Sequence, residues 1–169
     1  DAATYTILGL TGGVAETILR FGSDELRNEY IPKLISSNPK DAFTGAMLLT
    51  EPQAGSDLSK IKVTAEKVND MYLLDGVKIF ITNPDADVLV VLARHKGTEG
   101  KDGISLFLVP KYLKGGSRNS VTVSRLESKM GIRASPTGEV FFKNAKGYLL
   151  GEEYRGLEYM FYLMNRSRL

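Results

Sequence analysis

The sequence contains no cysteine and a single histidine, His95, and these absences remove several kinds of functional site. Without cysteine there can be no disulfide framework, no thiolate zinc site, no iron–sulfur cluster and no cysteine nucleophile. A single histidine excludes a histidine-rich metal site, so no metal centre is expected. His95 lies in the polar run from Arg94 to Gly97, which predicts a solvated turn rather than a buried base.

The chain also lacks a long apolar segment and a strong charge of one sign. No apolar run approaches the roughly 18 residues of a membrane span, and the N-terminus lacks the features of a signal peptide. Twenty-two Lys and Arg against 20 Asp and Glu give a net charge of +2, which does not indicate a nucleic-acid or membrane-surface protein. We therefore expect a soluble, cytoplasmic protein without a nucleic-acid partner.

Helical periodicity occurs at both ends of the chain. The first 37 residues predict two helices separated at Phe21–Gly22, with Ser23 as N-cap of the second and a kink at Pro32. After Gly151 a partial helix begins, and the chain stops within it, so we expect a fragment of a longer protein. The predicted apolar faces comprise Ile7, Leu8, Val14, Ile18 and Leu19; Leu26, Tyr30, Leu34 and Ile35; and Leu157, Met160, Phe161 and Met164.

Between residues 42 and 150 the pattern changes to short apolar or alternating runs rich in Val, Ile, Phe, Tyr and Thr. Turn-forming residues such as Asn83–Asp85 separate these runs, and little helical pattern lies between them. This predicts a mainly β fold, an antiparallel barrel or sandwich of about seven to eight strands, flanked by the terminal helices. The predicted strands are 43–49, 61–67, 71–82, 87–93, 104–109, 121–126 and 139–143.

The segment Thr50–Asp57 concentrates proline, glycine, serine and two acids in a loop after the first predicted strand. Such a loop can direct backbone amides and a serine hydroxyl at an anion such as a pyrophosphate. By spacing alone, a surface turn between strands is the simpler interpretation. The glycine spacing matches neither the dinucleotide-binding fingerprint nor a P-loop.

A second segment, Lys78–Asn83, places Phe80 and Thr82 on the same face of a predicted strand that ends at a turn. The ring could stack on a planar heterocycle, and the hydroxyl could form a hydrogen bond with a ring nitrogen. An aromatic residue on a half-buried strand is more often part of an ordinary core.

These two segments, followed by Lys129–Thr137 (KMGIRASPT), resemble the middle domain of the acyl-CoA dehydrogenases. The resemblance covers nearly the whole chain. The amino-acid sequence of the motif segments is similar to that of the long bacterial branch of fatty-acyl and methylthiopropanoyl-CoA dehydrogenases. It implies that residues 1–40 end an N-terminal helical domain, that 41–151 form the β-barrel middle domain, and that 152–169 begin a C-terminal helical domain.

The family resemblance implies an FAD-dependent enzyme that converts an acyl-CoA thioester to a trans-2-enoyl-CoA. Many members carry Trp in place of Phe80 and Tyr in place of Met47, so an indole N–H and a phenolic contact are lost here. Thr82 is implied to lie close to flavin N5, where its hydrogen bond would stabilise negative charge. The residues implied to contact FAD are Met47, Leu49, Thr50, Gly55, Ser56, Phe80, Ile81 and Thr82; those implied to contact acyl-CoA are Ser56, Asn165 and Arg168.

The family resemblance also implies what these 169 residues do not supply. The family's catalytic base is a glutamate of the C-terminal helical domain, so no catalytic residue is assigned here and the isolated chain is expected to be inactive. The full-length enzyme would be a homo-oligomer that passes electrons to an electron-transfer flavoprotein. Two alternatives stay open: an oxygen-using acyl-CoA oxidase or related flavin monooxygenase, and a non-enzymatic β-barrel binding module.

Overall fold

A computed structural model describes residues 1–167, with side chains as far as Asn165. None of the helices in this part of the chain is long and apolar enough to cross a membrane. Two short 3-10 turns, Leu58–Lys60 and Lys101–Gly103, lie in loops. The other elements in chain order are α1 Ala2–Phe21, α2 Asp24–Leu34, β1 Gly45–Leu48, β2 Thr64–Val68, β3 Met71–Thr82, β4 Val88–His95, β5 Ile104–Pro110, β6 Val121–Leu126, β7 Thr137–Leu150 and α3 Gly156–Ser167.

The two N-terminal helices begin and end where local chemistry favours it. The Asp1 carboxylate accepts a hydrogen bond from the Ala3 N–H at 3.0 Å and caps α1. Ser23 caps α2 in the same way, as predicted, and Pro32 lies inside that helix. The predicted apolar face of α2 was wrong at one position, because α2 ends at Leu34 and the side chain of Ile35 is exposed beyond it.

Seven strands form one sheet that closes into a barrel. The closed ring runs β4–β2–β3–β7–β5 and returns to β4, while β1 pairs with β4 and β6 pairs with β7 outside the ring. The predicted barrel and strand number are confirmed, but the prediction of a purely antiparallel barrel was wrong. β4 runs parallel to both β1 and β2. Parallel neighbours need a long crossover connection, and the β2–β3 hairpin provides it between β1 and β4.

The central strands β4 and β5 are buried on both faces, and their alternating side chains enter two different cores. On one face, Val88, Val90 and Leu92 pack with helix residues such as Val14 and Ile18. We call this the helix-side core. The opposite face fills the barrel, where Leu89, Val91, Ala93, Phe107 and Val109 belong to the same core as Phe142 of β7.

Helix α3 packs on α1, β4 and β5. The ring of Tyr159 stacks on Phe21 with a centroid separation of 4.2 Å, and the Gly151 N–H donates to the Phe21 carbonyl oxygen at 2.8 Å. The helix itself was predicted, but its buried face is centred on Tyr159, Met160 and Leu163, while Phe161 is exposed.

His95 is buried rather than solvated, so the prediction of a solvated turn was wrong. It is the last residue of β4, where it pairs with Ala65 of β2 and retains only 9% exposure. Its Nε2 lies 2.7 Å from Ser105 Oγ, which also accepts the Tyr154 N–H at 2.6 Å. The strand extends two residues beyond the predicted limit, and this extension carries His95 into the barrel wall.

Candidate functional site

The loop after β1 and the second half of β3 lie against each other. The Ile79 N–H donates to the Thr50 carbonyl oxygen at 2.9 Å, so the two segments singled out in the sequence meet through their main chains. Met47 and Leu49, which frame the start of the loop, are half-buried against the helix-side core. The structure therefore brings together the two predicted halves of one site.

A tight turn shapes the loop itself. Glu51 and Ala54 exchange two backbone hydrogen bonds of 3.1 and 3.0 Å, so the chain reverses at Pro52–Gln53. This reversal leaves Gly55 and Ser56 exposed at the surface. A Cβ atom added at Gly55 would meet no heavy atom within 4 Å, so open space adjoins the backbone where an anion was expected.

A bulge in β3 sets the orientation of Phe80. The register with β7 shifts between Lys78 and Ile81, and Phe80 adopts a φ of 57°, which is uncommon for an aromatic residue. Phe80 is 60% exposed, whereas Ile81 is only 3% exposed and packs into the barrel core. A ligand at this surface would meet Phe80 and not the side chain of Ile81.

The third predicted segment borders the end of β3. Thr82 pairs with Thr137 of β7, and the Asn83 N–H donates to the Pro136 carbonyl oxygen at 2.9 Å. A cleft of about 560 Å³ opens beside this junction. It is lined by Leu126, Glu127, Ser128, Lys129, Arg133, Ala134, Pro136 and Thr137.

The residues implied to contact acyl-CoA are only partly described. Ser56 is exposed in the loop, and Asn165 is exposed near the end of α3. Arg168 lies outside the described residues, and only the backbone of its neighbour Ser167 is described.

Sequence reasoning missed a buried ion pair behind the loop. Lys78 Nζ lies 2.8 Å from Glu51 Oε1, and the two side chains are 0% and 1% exposed. Lys78 also donates to the Leu49 carbonyl oxygen at 2.9 Å. Burial lowers the pKa of Lys78 to about 8, although the Glu51 carboxylate opposes this shift. Lysine is rarely fully buried, so its position in an apolar strand was the signal that could have revealed the pair.

The carboxylate of Glu51 is held by further donors. It accepts hydrogen bonds from the Lys62 N–H at 2.7 Å, the Val63 N–H at 3.2 Å and Gln53 Nε2 at 2.6 Å. One side chain thus joins the loop, the segment before β2 and strand β3.

Comparison with known proteins gives consistent matches. A family model described as "Acyl-CoA dehydrogenase, middle domain" matches residues 46–145. The chain is 44% identical to 3-methylmercaptopropionyl-CoA dehydrogenase of Ruegeria pomeroyi, over 94% of this chain and 28% of that protein. It is 39% identical to an acyl-CoA dehydrogenase of Bacillus subtilis, over 100% of this chain and 44% of that protein. The chain thus spans less than half the length of these relatives.

Solved structures with sequence identities of 30–32% share the fold. Caenorhabditis elegans ACDH-11 in complex with C11-CoA superposes with a TM-score of 0.88 at 30% identity, over 96% of this chain and 29% of that one. Butyryl-CoA dehydrogenase from Megasphaera elsdenii superposes with a TM-score of 0.87 at 32% identity, over 99% of this chain and 43% of that one. The prolyl acyl carrier protein oxidase AnaB superposes with a TM-score of 0.78 at 30% identity, over 95% of this chain and 43% of that one.

Proposed function

The chain belongs to the acyl-CoA dehydrogenase family, and from this premise we propose that it forms the flavin-holding barrel of an FAD-dependent acyl-CoA dehydrogenase. The whole enzyme would convert an acyl-CoA thioester to a trans-2-enoyl-CoA. The observation that carries the proposal is the junction of loop 49–56 with residues 79–82, made through the Ile79 to Thr50 hydrogen bond and flanked by the exposed residues Gly55, Ser56 and Phe80.

The residues at this junction fit FAD. The exposed ring of Phe80 offers a stacking surface for the isoalloxazine, and the Thr82 hydroxyl offers a hydrogen bond to flavin N5. The open space at Gly55 admits a pyrophosphate close to the backbone, with Ser56 adding its hydroxyl. Met47, Leu49, Thr50 and Ile81 complete the proposed contact set, Ile81 through its main chain.

FAD, when bound, would supply the acceptor for the hydride of the acyl group. The chain's own residues would hold and orient the ring, and the Thr82 hydroxyl would donate a hydrogen bond that stabilises negative charge there. We assign no catalytic base among these residues and place it in a C-terminal helical domain. Ser56, Asn165 and Arg168 are proposed to contact the acyl-CoA. We propose only that the substrate is an acyl thioester and do not specify its acyl group.

The wider organisation is proposed on the same basis. Residues 1–40 would end an N-terminal helical domain, 41–151 would form the middle domain, and 152–169 would begin the C-terminal helical domain. The whole protein would be a cytoplasmic homo-oligomer that passes electrons to an electron-transfer flavoprotein.

The likeness to the oxidase AnaB supports a second candidate, in which oxygen rather than a flavoprotein reoxidises the flavin. Full-length protein should be reduced with acyl-CoA and then offered either oxygen or an artificial electron acceptor. Reoxidation by the acceptor alone supports a dehydrogenase, whereas fast reoxidation by oxygen with release of hydrogen peroxide supports an oxidase.

The decisive test of the proposal is flavin retention in the Gly55→Val variant of the full-length protein. A side chain at Gly55 meets open space in the protein, so the barrel should fold normally while approach of the pyrophosphate is blocked. We expect FAD affinity to fall by at least about tenfold, a change of 1.4 kcal/mol in binding free energy.

A matched control is Gly9→Val, which places the same side chain in open space on the exposed surface of α1. It should leave FAD affinity unchanged. A wild-type protein that releases no flavin on denaturation and cannot be reconstituted would instead favour a non-enzymatic binding module.

A further inference from the structure

Residues 79–80 leave the β7 ladder and turn toward the loop after β1. The register of β3 with β7 holds at Lys78, fails through the bulge, and resumes at Ile81 opposite Gly138. Within that gap the Ile79 N–H donates to the Thr50 carbonyl oxygen of the loop. The irregular part of β3 and the loop, the two segments proposed to hold flavin, are thus joined by a main-chain hydrogen bond.

The side chain of Lys78 reinforces this contact from behind. Its ammonium donates to the Leu49 carbonyl oxygen at 2.9 Å and to the Glu51 carboxylate at 2.8 Å. Together with the Ile79 to Thr50 bond, three consecutive loop residues are fixed to two consecutive strand residues. The separation between Thr50 and Phe80 is therefore set by hydrogen bonds from Lys78 and Ile79.

A buried ion pair is a costly means of joining two segments. Apolar residues of similar volume often give equal or greater stability, because each buried charge loses its hydration. Glu51 offsets part of this cost by accepting the N–H groups of Lys62 and Val63 as well as the Gln53 amide. Such a pair is best attested where it specifies one arrangement among several.

We propose that Glu51 and Lys78 are positioning residues for FAD, which hold the loop 49–56 at a fixed distance from the ring-stacking residues 80–82. The inference rests on the proposed function, because it gives the ion pair a purpose in flavin binding. Neither side chain reaches the surface, so both act through the loop backbone. Without the pair, the loop would sample positions in which the Gly55 backbone and the Phe80 ring no longer contact one flavin together.

The test compares single and double variants in the full-length protein. Lys78→Met removes the ammonium but keeps most of the side-chain volume, and it leaves the Glu51 carboxylate buried without its cation. Adding Glu51→Gln removes that unpaired charge and keeps an acceptor oxygen for the Lys62 and Val63 N–H groups. The double variant should therefore regain the melting temperature that the single Lys78→Met variant loses.

Three quantities should be measured for each variant: the melting temperature, the dissociation constant for FAD, and amide hydrogen exchange of residues 49–56 in the flavin-free protein. A matched control is Tyr72→Leu, which damages the barrel core at Phe107 and His95. Tyr72 lies six residues before Lys78 on β3, about 20 Å along the strand. The control should lower the melting temperature without changing loop exchange or FAD affinity.

If the pair positions the loop, the double variant regains its melting temperature, yet its loop exchanges faster and it binds FAD at least about tenfold more weakly. A double variant with wild-type loop exchange and wild-type FAD affinity would overturn the inference and leave the pair a structural role. Faster loop exchange with unchanged FAD affinity would overturn it as well. A wild-type protein that takes up no FAD would overturn the proposed function and, with it, this inference.

Discussion

His95 is the single histidine of the chain, and its surroundings favour the uncharged imidazole. Burial lowers the pKa of its ring, Lys67 lowers it further, and only Glu153 acts in the opposite direction. The rings of Tyr72, Phe107 and Tyr154 surround it. Protonation would place a charge among these rings and would disturb the hydrogen bond to Ser105.

Stability should therefore fall as the pH drops below the ordinary histidine pKa of 6.5. As the pH falls through this range, the unfolded chain takes up a proton at His95 before the folded chain does. Protonation therefore stabilises the unfolded state relative to the folded state. Unfolding of the wild type by urea should become easier from pH 6.5 to pH 5. Variant His95→Gln should show a flatter profile, and equal profiles for the two proteins would contradict the assignment.

The position of α3 against the barrel depends on a close approach between two main-chain segments. A Cβ atom added at Gly156, the first residue of α3, would fall against the backbone of Ser105 in β5, inside van der Waals contact. The same Ser105 also accepts the Tyr154 N–H and contacts His95. Only glycine lets the helix begin this close to the barrel.

Gly156→Ala should therefore destabilise the protein by about 1–3 kcal/mol, because the backbones must separate to admit the methyl group. Cleavage by a protease between residues 151 and 160 should also become faster. The control Gly12→Ala, in an exposed part of α1 with nothing within 4 Å, should instead stabilise the protein by about 0.5–1 kcal/mol. Similar effects of the two substitutions on unfolding would contradict the proposed close approach.

The strands could be predicted because each has a local signature of branched and aromatic residues between turn formers. Each of the seven predicted ranges overlaps an observed strand, although β7 begins at Thr137 and continues to Leu150. Its second half was missed because Asn144, Lys146 and Gly147 interrupt the apolar pattern. The parallel pairing of β1 with β4 could not be predicted, since residue spacing does not specify which strand lies alongside.

The candidate site was predicted only in part for a similar reason. Thr50 and Phe80 were singled out from local chemistry and by resemblance, but the bond that joins their segments passes through the main chain of Ile79. The pairing of Glu51 with Lys78 spans 27 residues and depends on the tertiary fold. The prediction at Phe80 was also incomplete, because it assumed that side chains alternate regularly along the strand. The positive φ of Phe80 arises from a bulge, which this alternation does not anticipate.

At the scale of the whole molecule, the two cores are well formed while the proposed flavin surface is open. Residues of α1, α2 and α3 cover one face of β4 and β5, and the barrel core fills the other face. By contrast, Phe80 is 60% exposed, and Gly55 and Ser56 are exposed as well. Folding and flavin binding should therefore be separable properties of these 169 residues.

We expect the isolated 169-residue chain to unfold cooperatively on heating but to copurify with little or no FAD. Its own residues would contact one side of the cofactor, and binding weakens when the remaining contacts are missing. The chain should not dehydrogenate any acyl-CoA, even with added FAD and an artificial electron acceptor, because we propose that the catalytic base lies in a domain outside it. Calorimetry, the absorbance spectrum of the purified chain and an acceptor-reduction assay measure the three properties separately. Tight stoichiometric FAD would show that the barrel alone suffices for binding, and measurable turnover would place the base among these residues.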